Sequence, residues 1–250
     1  AASDSNHSYW MELPEAKAFI RELNLFRVRQ AMPLLFAAWE SFSSEDFVRI
    51  LKLVSVISFR YTVISRLNTN DLEPVYHNAA KAVSDGEAAS PAEVFERLEQ
   101  IYVDDEKMHQ DFALFAVPTR GPRKKLAKYI LARLEADVAN RYCDPDTDPG
   151  TIEHILPENP TEAWSETFAP ERWEVSMYRL GNLTLLEAAT NRTVGNAAYA
   201  DKCAAYNKSS YVLTKKIPEI APEQWTPELV DERQRQLAAR AVHLWRSDFA

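Results

Sequence analysis

The chain has 250 residues and a formal net charge of −8 at pH 7. Apolar residues make up 46% of it and charged residues 26%, the balance of a globular protein with core enough for one large domain or two smaller ones. No apolar run reaches the roughly 18 residues of a membrane-spanning helix, and the acidic balance argues against a protein that coats nucleic acid indiscriminately.

The opening stretch, AASDSNHSYW, lacks the basic region and apolar core of a signal peptide and reads as the tail of a linker. Residues 10–140 read as helices. Glycine is nearly absent there, and apolar residues recur three and four apart, as in Leu23, Phe26, Leu34, Leu35 and Ala38, with Pro33 near the start of a second helix. Ser44, followed by Glu45 and Asp46, reads as an N-cap for FVRILKLVSVISFRYTVI. That segment is apolar nearly all round, which predicts a central helix of a bundle. Asn68, Asn70 and Asp71 mark a break, Ser90-Pro91 opens a further helix, and Lys125–Val138 forms another. CDPDTDPG (143–150) is rich in turn formers and reads as a linker between a helical scaffold domain (1–142) and a second domain (151–250).

Beyond the linker the texture changes. TIEHILP alternates and suits a short strand. Residues 158–178 carry Trp164, Phe168, Trp173 and Tyr178 among prolines and glutamates, a helical or irregular insertion with its tryptophans in the core. LGNLTLL reads as a second strand, Asn191–Tyr206 as a helix, and Thr226-Pro227 as the start of a long final helix ending near Trp245. The two cysteines, Cys143 and Cys203, form no CxxC or Cys/His cluster, so a structural zinc is not expected and a reducing cytoplasm is the simplest compartment. His109 and His243 fall on helices without partners, and His7 and His77 in loops.

One constellation has the look of chemistry. His154 sits in IEHILP, Asn182 in RLGNLTLL, and Asn191 nine residues later. Phosphodiester hydrolysis needs a base for water, neutralisation of the phosphoryl charge and help for the leaving oxygen. A neutral imidazole can take the proton near pH 7. A hard divalent cation, ligated by amide and carboxylate oxygens, can meet the other two needs. Asn182 suits a backbone-bonding residue that orients the base. Between Arg192 and Lys216 five Lys and Arg residues face only Asp201, and Arg120, Arg123, Lys124, Lys125 and Lys128 form a second basic cluster. Each patch is either a solvated face or a contact to the phosphate backbone of DNA.

The text IEHILP, RLGNLTLL, ATNRTVGNAAYADKCAAY, SSYVLT and WTPELVDERQRQLAARAVHLW resembles the C-terminal HNH-type (His-Me finger) nuclease domain of the GmrSD and SspE group of modification-dependent phage-defence enzymes. The resemblance implies a mainly α protein, a helical bundle with a small ββα-metal motif embedded in its C-terminal half. It implies His154 as general base, Asn182 as the orienting residue, Asn191 as metal ligand and Glu153 as the acidic metal ligand before the base. Asn196 and Lys202 are implied to contact phosphate. With Asn at position 191, magnesium or manganese is the expected ion. Neighbouring strand residues point to opposite faces, so Glu153 and His154 share a site only if the strand twists or bulges. DNA is the implied substrate, cut or nicked to restrict foreign DNA. An NTP-hydrolysing sensor outside this chain is the implied partner. Two other readings stay open: an inactive helical interaction module, and an RNase or toxin built on the same residues.

Overall fold

The computed structural model describes His7, Trp10, residues 13–141 and residues 143–250, so most of the opening stretch read as a linker tail lies outside the described residues. The protein is mainly helical: among the described residues there are twelve α-helices and a single two-stranded sheet. None of these helices is long and apolar enough to cross a membrane. Ala1–Met108 with Trp245–Ala250 form one compact unit, and His109–Leu244 form the other.

The first unit contains α1 (Pro14–Phe26), α2 (Met32–Ser41), α3 (Ser44–Ser58), α4 (Leu72–Ser84) and α5 (Pro91–Leu98). The cap of α3 is Ser43 rather than Ser44: its hydroxyl accepts from the Asp46 N–H, which places Glu45 and Asp46 in the first turn. Ser90 caps α5 by accepting from Glu93 N–H, and the Glu93 carboxylate reaches back to Ala89 N–H. As its all-round apolar pattern predicts, α3 is buried along most of its length, and it runs on as a π-helical turn over Phe59–Ile64. There Arg60 is fully buried. Its guanidinium donates to the carbonyls of Trp245 and Val103 and pairs with Asp105. His77, expected in a loop, lies exposed on α4, because the Asn68–Asp71 break is completed before Leu72.

α6 spans Asp105–Leu114 and α7 Arg123–Ala139; then follow β1 (Thr151–His154), α8 (Pro170–Met177), β2 (Leu183–Leu186), α9 (Ala188–Val194), α10 (Tyr199–Tyr206), α11 (Val212–Ile220) and α12 (Pro227–Leu244). β1 and β2 are antiparallel in unbroken register, Thr151 opposite Leu186 through to His154 opposite Leu183. The core of the second unit gathers Ile155, Leu156, Trp164, Phe168, Leu186, Tyr206 and Trp225, all essentially sealed from solvent.

The single helix expected over Asn191–Tyr206 is two. Gly195 takes φ +43° between α9 and α10, a backbone state that suits glycine and ends a helix. The segment that opens β2 is gripped by α12. Arg233 donates to the carbonyls of Leu180, Gly181 and Leu183, while the Gln234 side-chain oxygen accepts from Gly181 N–H. A Cβ at residue 181 would collide with the Val230 carbonyl, so the close approach of α12 requires glycine there.

Candidate active site

His154 ends β1, and its imidazole is mostly buried, with 14% of the side chain exposed. Its Nε2 lies 3.1 Å from the Thr119 hydroxyl oxygen and 3.9 Å from Glu158 Oε1, and its ring meets that of Tyr178 edge-on. Thr119 donates its hydroxyl to Glu158 Oε1 at 3.4 Å. Glu158 also accepts from Tyr178 OH at 3.0 Å and from Arg120 through Nε and Nη2, at 3.2 and 2.7 Å. Burial pulls the His154 pKa down to about 4; the Glu158 carboxylate opposes this, while Lys202 and Arg120 add to it. The ring is therefore neutral at pH 7. Burial pushes the Glu158 carboxyl up, but Arg120, His154 and Tyr178 outweigh it and hold the group below its ordinary range.

The next residue back points elsewhere. β1 carries no bulge, so Glu153 and His154 face opposite sides of the strand. Glu153 Oε1 accepts from Lys202 Nζ at 2.6 Å and from Tyr206 OH at 2.7 Å. Lys202 also donates to the His154 carbonyl at 2.7 Å, and the Lys202 side chain has no exposed surface. Desolvation raises the Glu153 pKa and lowers that of Lys202, and the attraction between the two opposes both shifts. Lys202 thus fastens α10 to β1 and holds the His154 backbone.

Asn182 is fully buried and makes a four-way clamp. Its Oδ1 accepts from Leu156 N–H at 2.8 Å and from Trp225 Nε1 at 3.1 Å. Its Nδ2 donates to the carbonyls of Leu156 and Met177, at 2.9 and 3.2 Å. Its own carbonyl accepts from Ile155 N–H at 3.0 Å. The turn just after His154 is thereby fixed. Asn191 lies inside α9 rather than capping it, because Glu187 takes the cap position. Its Nδ2 donates to Thr151 Oγ1 and the Ile152 carbonyl, at 2.9 and 3.0 Å, which leaves its Oδ1 without a hydrogen bond among the described residues. Asn196 is exposed in the turn between α9 and α10.

The residues singled out in the sequence therefore fall into three places. His154 stands in a polar cluster with Thr119 and Glu158, Asn182 and Asn191 brace the backbone on either side of it, and Glu153 with Lys202 forms a closed pair on the opposite face. Thr119, Glu158 and Tyr178 escaped the sequence reading. Glu158, four residues past His154, gave a visible signal; Thr119, which lies 35 residues upstream, gave none.

Residues 102–240, more than half of the chain, match the family described as the C-terminal domain of GmrSD restriction endonucleases. The chain belongs to that family. No curated protein matches it. The part matching the GmrSD C-terminal domain takes in both strands and the polar cluster, including Thr119 and Arg120 from before the 143–150 turn.

Proposed function

We propose that this GmrSD C-terminal domain is a metal-dependent DNA endonuclease of HNH type that restricts phage or other foreign DNA. β1, β2 and α9 read as its ββα motif. The observation that carries the proposal is a neutral, mostly buried histidine at the end of β1, backed by the Asn182 clamp, in a chain of a restriction endonuclease family.

In this reading His154 takes a proton from the water that attacks phosphorus, and the bond from phosphorus to the leaving oxygen breaks. Asn182 acts at one remove, keeping the residue-155 to residue-156 turn and hence the imidazole in place. Asn191 ties α9 to β1 and presents one free amide oxygen. The family resemblance implies a divalent ion, magnesium or manganese. The donors fit it in part. Asn191 Oδ1 is available, but Glu153 is committed to Lys202 and Tyr206, and among the described residues no group of three His, Cys, Asp or Glu side chains converges. Glu153 does not fit the ligand role in this arrangement, and Lys202, with no exposed surface, does not fit phosphate contact. Asn196 and the cations Arg123, Lys124 and Lys125 are exposed, and in this reading they take the nucleic-acid contact instead. Residues 1–142 serve as scaffold and as contact to an NTP-hydrolysing sensor, 143–150 as the linker and 151–250 as the nuclease, with Thr119 reaching His154 and Arg120 reaching Glu158 from before the linker.

Supercoiled plasmid and a structured RNA, each incubated with the protein in magnesium, manganese or chelator beside His154→Ala, test this. The expected result is nicked or linear plasmid that needs both the metal and His154. Cleavage that survives His154→Ala removes the mechanism, and cleavage of RNA alone replaces the substrate.

A further inference from the structure

The side chains around His154 form a directed chain of hydrogen bonds. Thr119 has one hydroxyl proton and two neighbours for it, Glu158 Oε1 at 3.4 Å and His154 Nε2 at 3.1 Å; with that proton on the ionised Glu158 carboxylate, its oxygen accepts toward His154 and Nε2 carries the ring proton. Glu158 is kept in place and ionised by the Arg120 guanidinium, which grips both carboxylate oxygens, and by Tyr178 OH. Among the described residues nothing hydrogen-bonds Nδ1 of His154.

From this geometry we infer that Thr119 and Glu158 are positioning residues of the nuclease: they lock His154 as its Nε2–H tautomer and leave the Nδ1 lone pair as the base that receives the proton of the attacking water. The inference rests on His154 being that base. In the step itself Nδ1 gains the water's proton, the water oxygen bonds to phosphorus and the leaving oxygen departs with the old bonding pair. The imidazolium that results carries its charge beside Glu158, with Thr119 between them, so the carboxylate that fixes the tautomer also stabilises the charged product of proton transfer. Arg120 and Tyr178 act one step further out, by holding Glu158.

The test uses the full chain and two readouts. In nitrogen-15 NMR at pH 7.5, the His154 resonances, assigned by their loss in His154→Ala, are expected to show a protonated Nε2 and an unprotonated Nδ1. Thr119→Val is expected to mix the tautomers, and Thr119→Ser to preserve the pattern. In plasmid cleavage, Thr119→Val and Glu158→Gln are expected to lower kcat about ten- to a hundredfold with KM within about twofold, the size typical of losing a residue that orients an active-site histidine. Thr119→Ser should rescue to within about threefold. A merely structural contact would move thermal stability while leaving the tautomer and the split between kcat and KM alone. An Nδ1–H tautomer in the parent protein overturns the inference, as does a Thr119→Val enzyme with parental kcat. If the parent cuts no nucleic acid, the nuclease reading fails, and the NMR pattern still decides whether Thr119 and Glu158 set the ring.

Discussion

Glu153 and His154 are neighbours in sequence and opposites in environment. Glu153 lies on a sealed face: its carboxylate is 4% exposed, its partner ammonium 0%, and Tyr206 closes over the pair. His154 looks the other way, into a cluster whose outer members, Glu158 at 22% and Arg120 at 69% exposure, reach solvent. The contrast shows how one strand separates a sealed face from one that borders solvent. A charge sealed with its counter-charge is fixed in place and closed to substrate, whereas a buried neutral ring behind a partly exposed polar cluster keeps a route to water. The alternation of a regular strand is enough to produce the two environments.

Breaking the sealed face should give the largest effect. Lys202→Met leaves the Glu153 carboxylate buried without its cation and removes the donor to the His154 carbonyl. Removing one partner of a buried pair costs about 3–5 kcal/mol, to be read from urea denaturation. The double variant Glu153→Gln with Lys202→Met should recover a large part of that loss, since no unpaired charge remains. If Lys202→Met costs no more than an exposed substitution, the pair does not brace β1, and a free Lys202 would return to consideration as a phosphate contact.

The open face should announce itself through pH. His154 has its pKa lowered from 6.5 to about 4, with burial as the leading cause. Between those values the unfolded chain binds more protons than the folded one, so protonation favours unfolding. The stabilisation is complete above pH 6.5 and is lost as pH falls toward 4. We expect about 2–3 kcal/mol to disappear over that window and the slope to flatten in His154→Gln. Glu158, held below its ordinary carboxylate range, adds a loss of the same sign at lower pH. Glu153, raised above that range, has the opposite sign: its share declines as pH rises through its folded pKa. Equal slopes in the parent and in His154→Gln would mean that the ring is not buried as described.

Much of this was legible in the sequence, and the rest was hidden for physical reasons. Local patterns delivered the helical content, the cap and proline at Ser90-Pro91, the start of α12 at Pro227 and both strands, because cap chemistry and alternation act over a few residues. The Gly195 break was legible too, but helical composition on both sides masked it. The three residues singled out by their spacing, His154, Asn182 and Asn191, lie together around β1, where Asn182 and Asn191 both bond to backbone. What sequence does not carry is which charges pair across the fold. Lys202 on a helix reads as solvated until α10 is docked on β1, where the ammonium meets a carboxylate and a carbonyl and loses its surface. Thr119 has no local signature at all; only packing brings it to the imidazole.

The smallest effect concerns the exposed cations at the start of α7. Of the basic cluster that follows Thr119, Arg120 is neutralised by Glu158, and Lys128 donates to the Asp148 carbonyl. Arg123, Lys124 and Lys125 are exposed at the start of α7 and have no ion pair among the described residues. Cations there oppose the positive end of the helix dipole, so they slightly disfavour the fold, and in the proposed reading they meet the DNA backbone. Replacing the three with Gln should leave single-turnover cleavage at saturating DNA near the parental rate, with weaker binding. The logarithmic salt dependence of binding should become shallower by about 2–3, close to 0.9 for each phosphate that is no longer neutralised. Binding measured in a His154→Ala background separates this effect from catalysis. An unchanged salt slope would make these residues a solvated surface and would confine DNA contact to the cluster around His154.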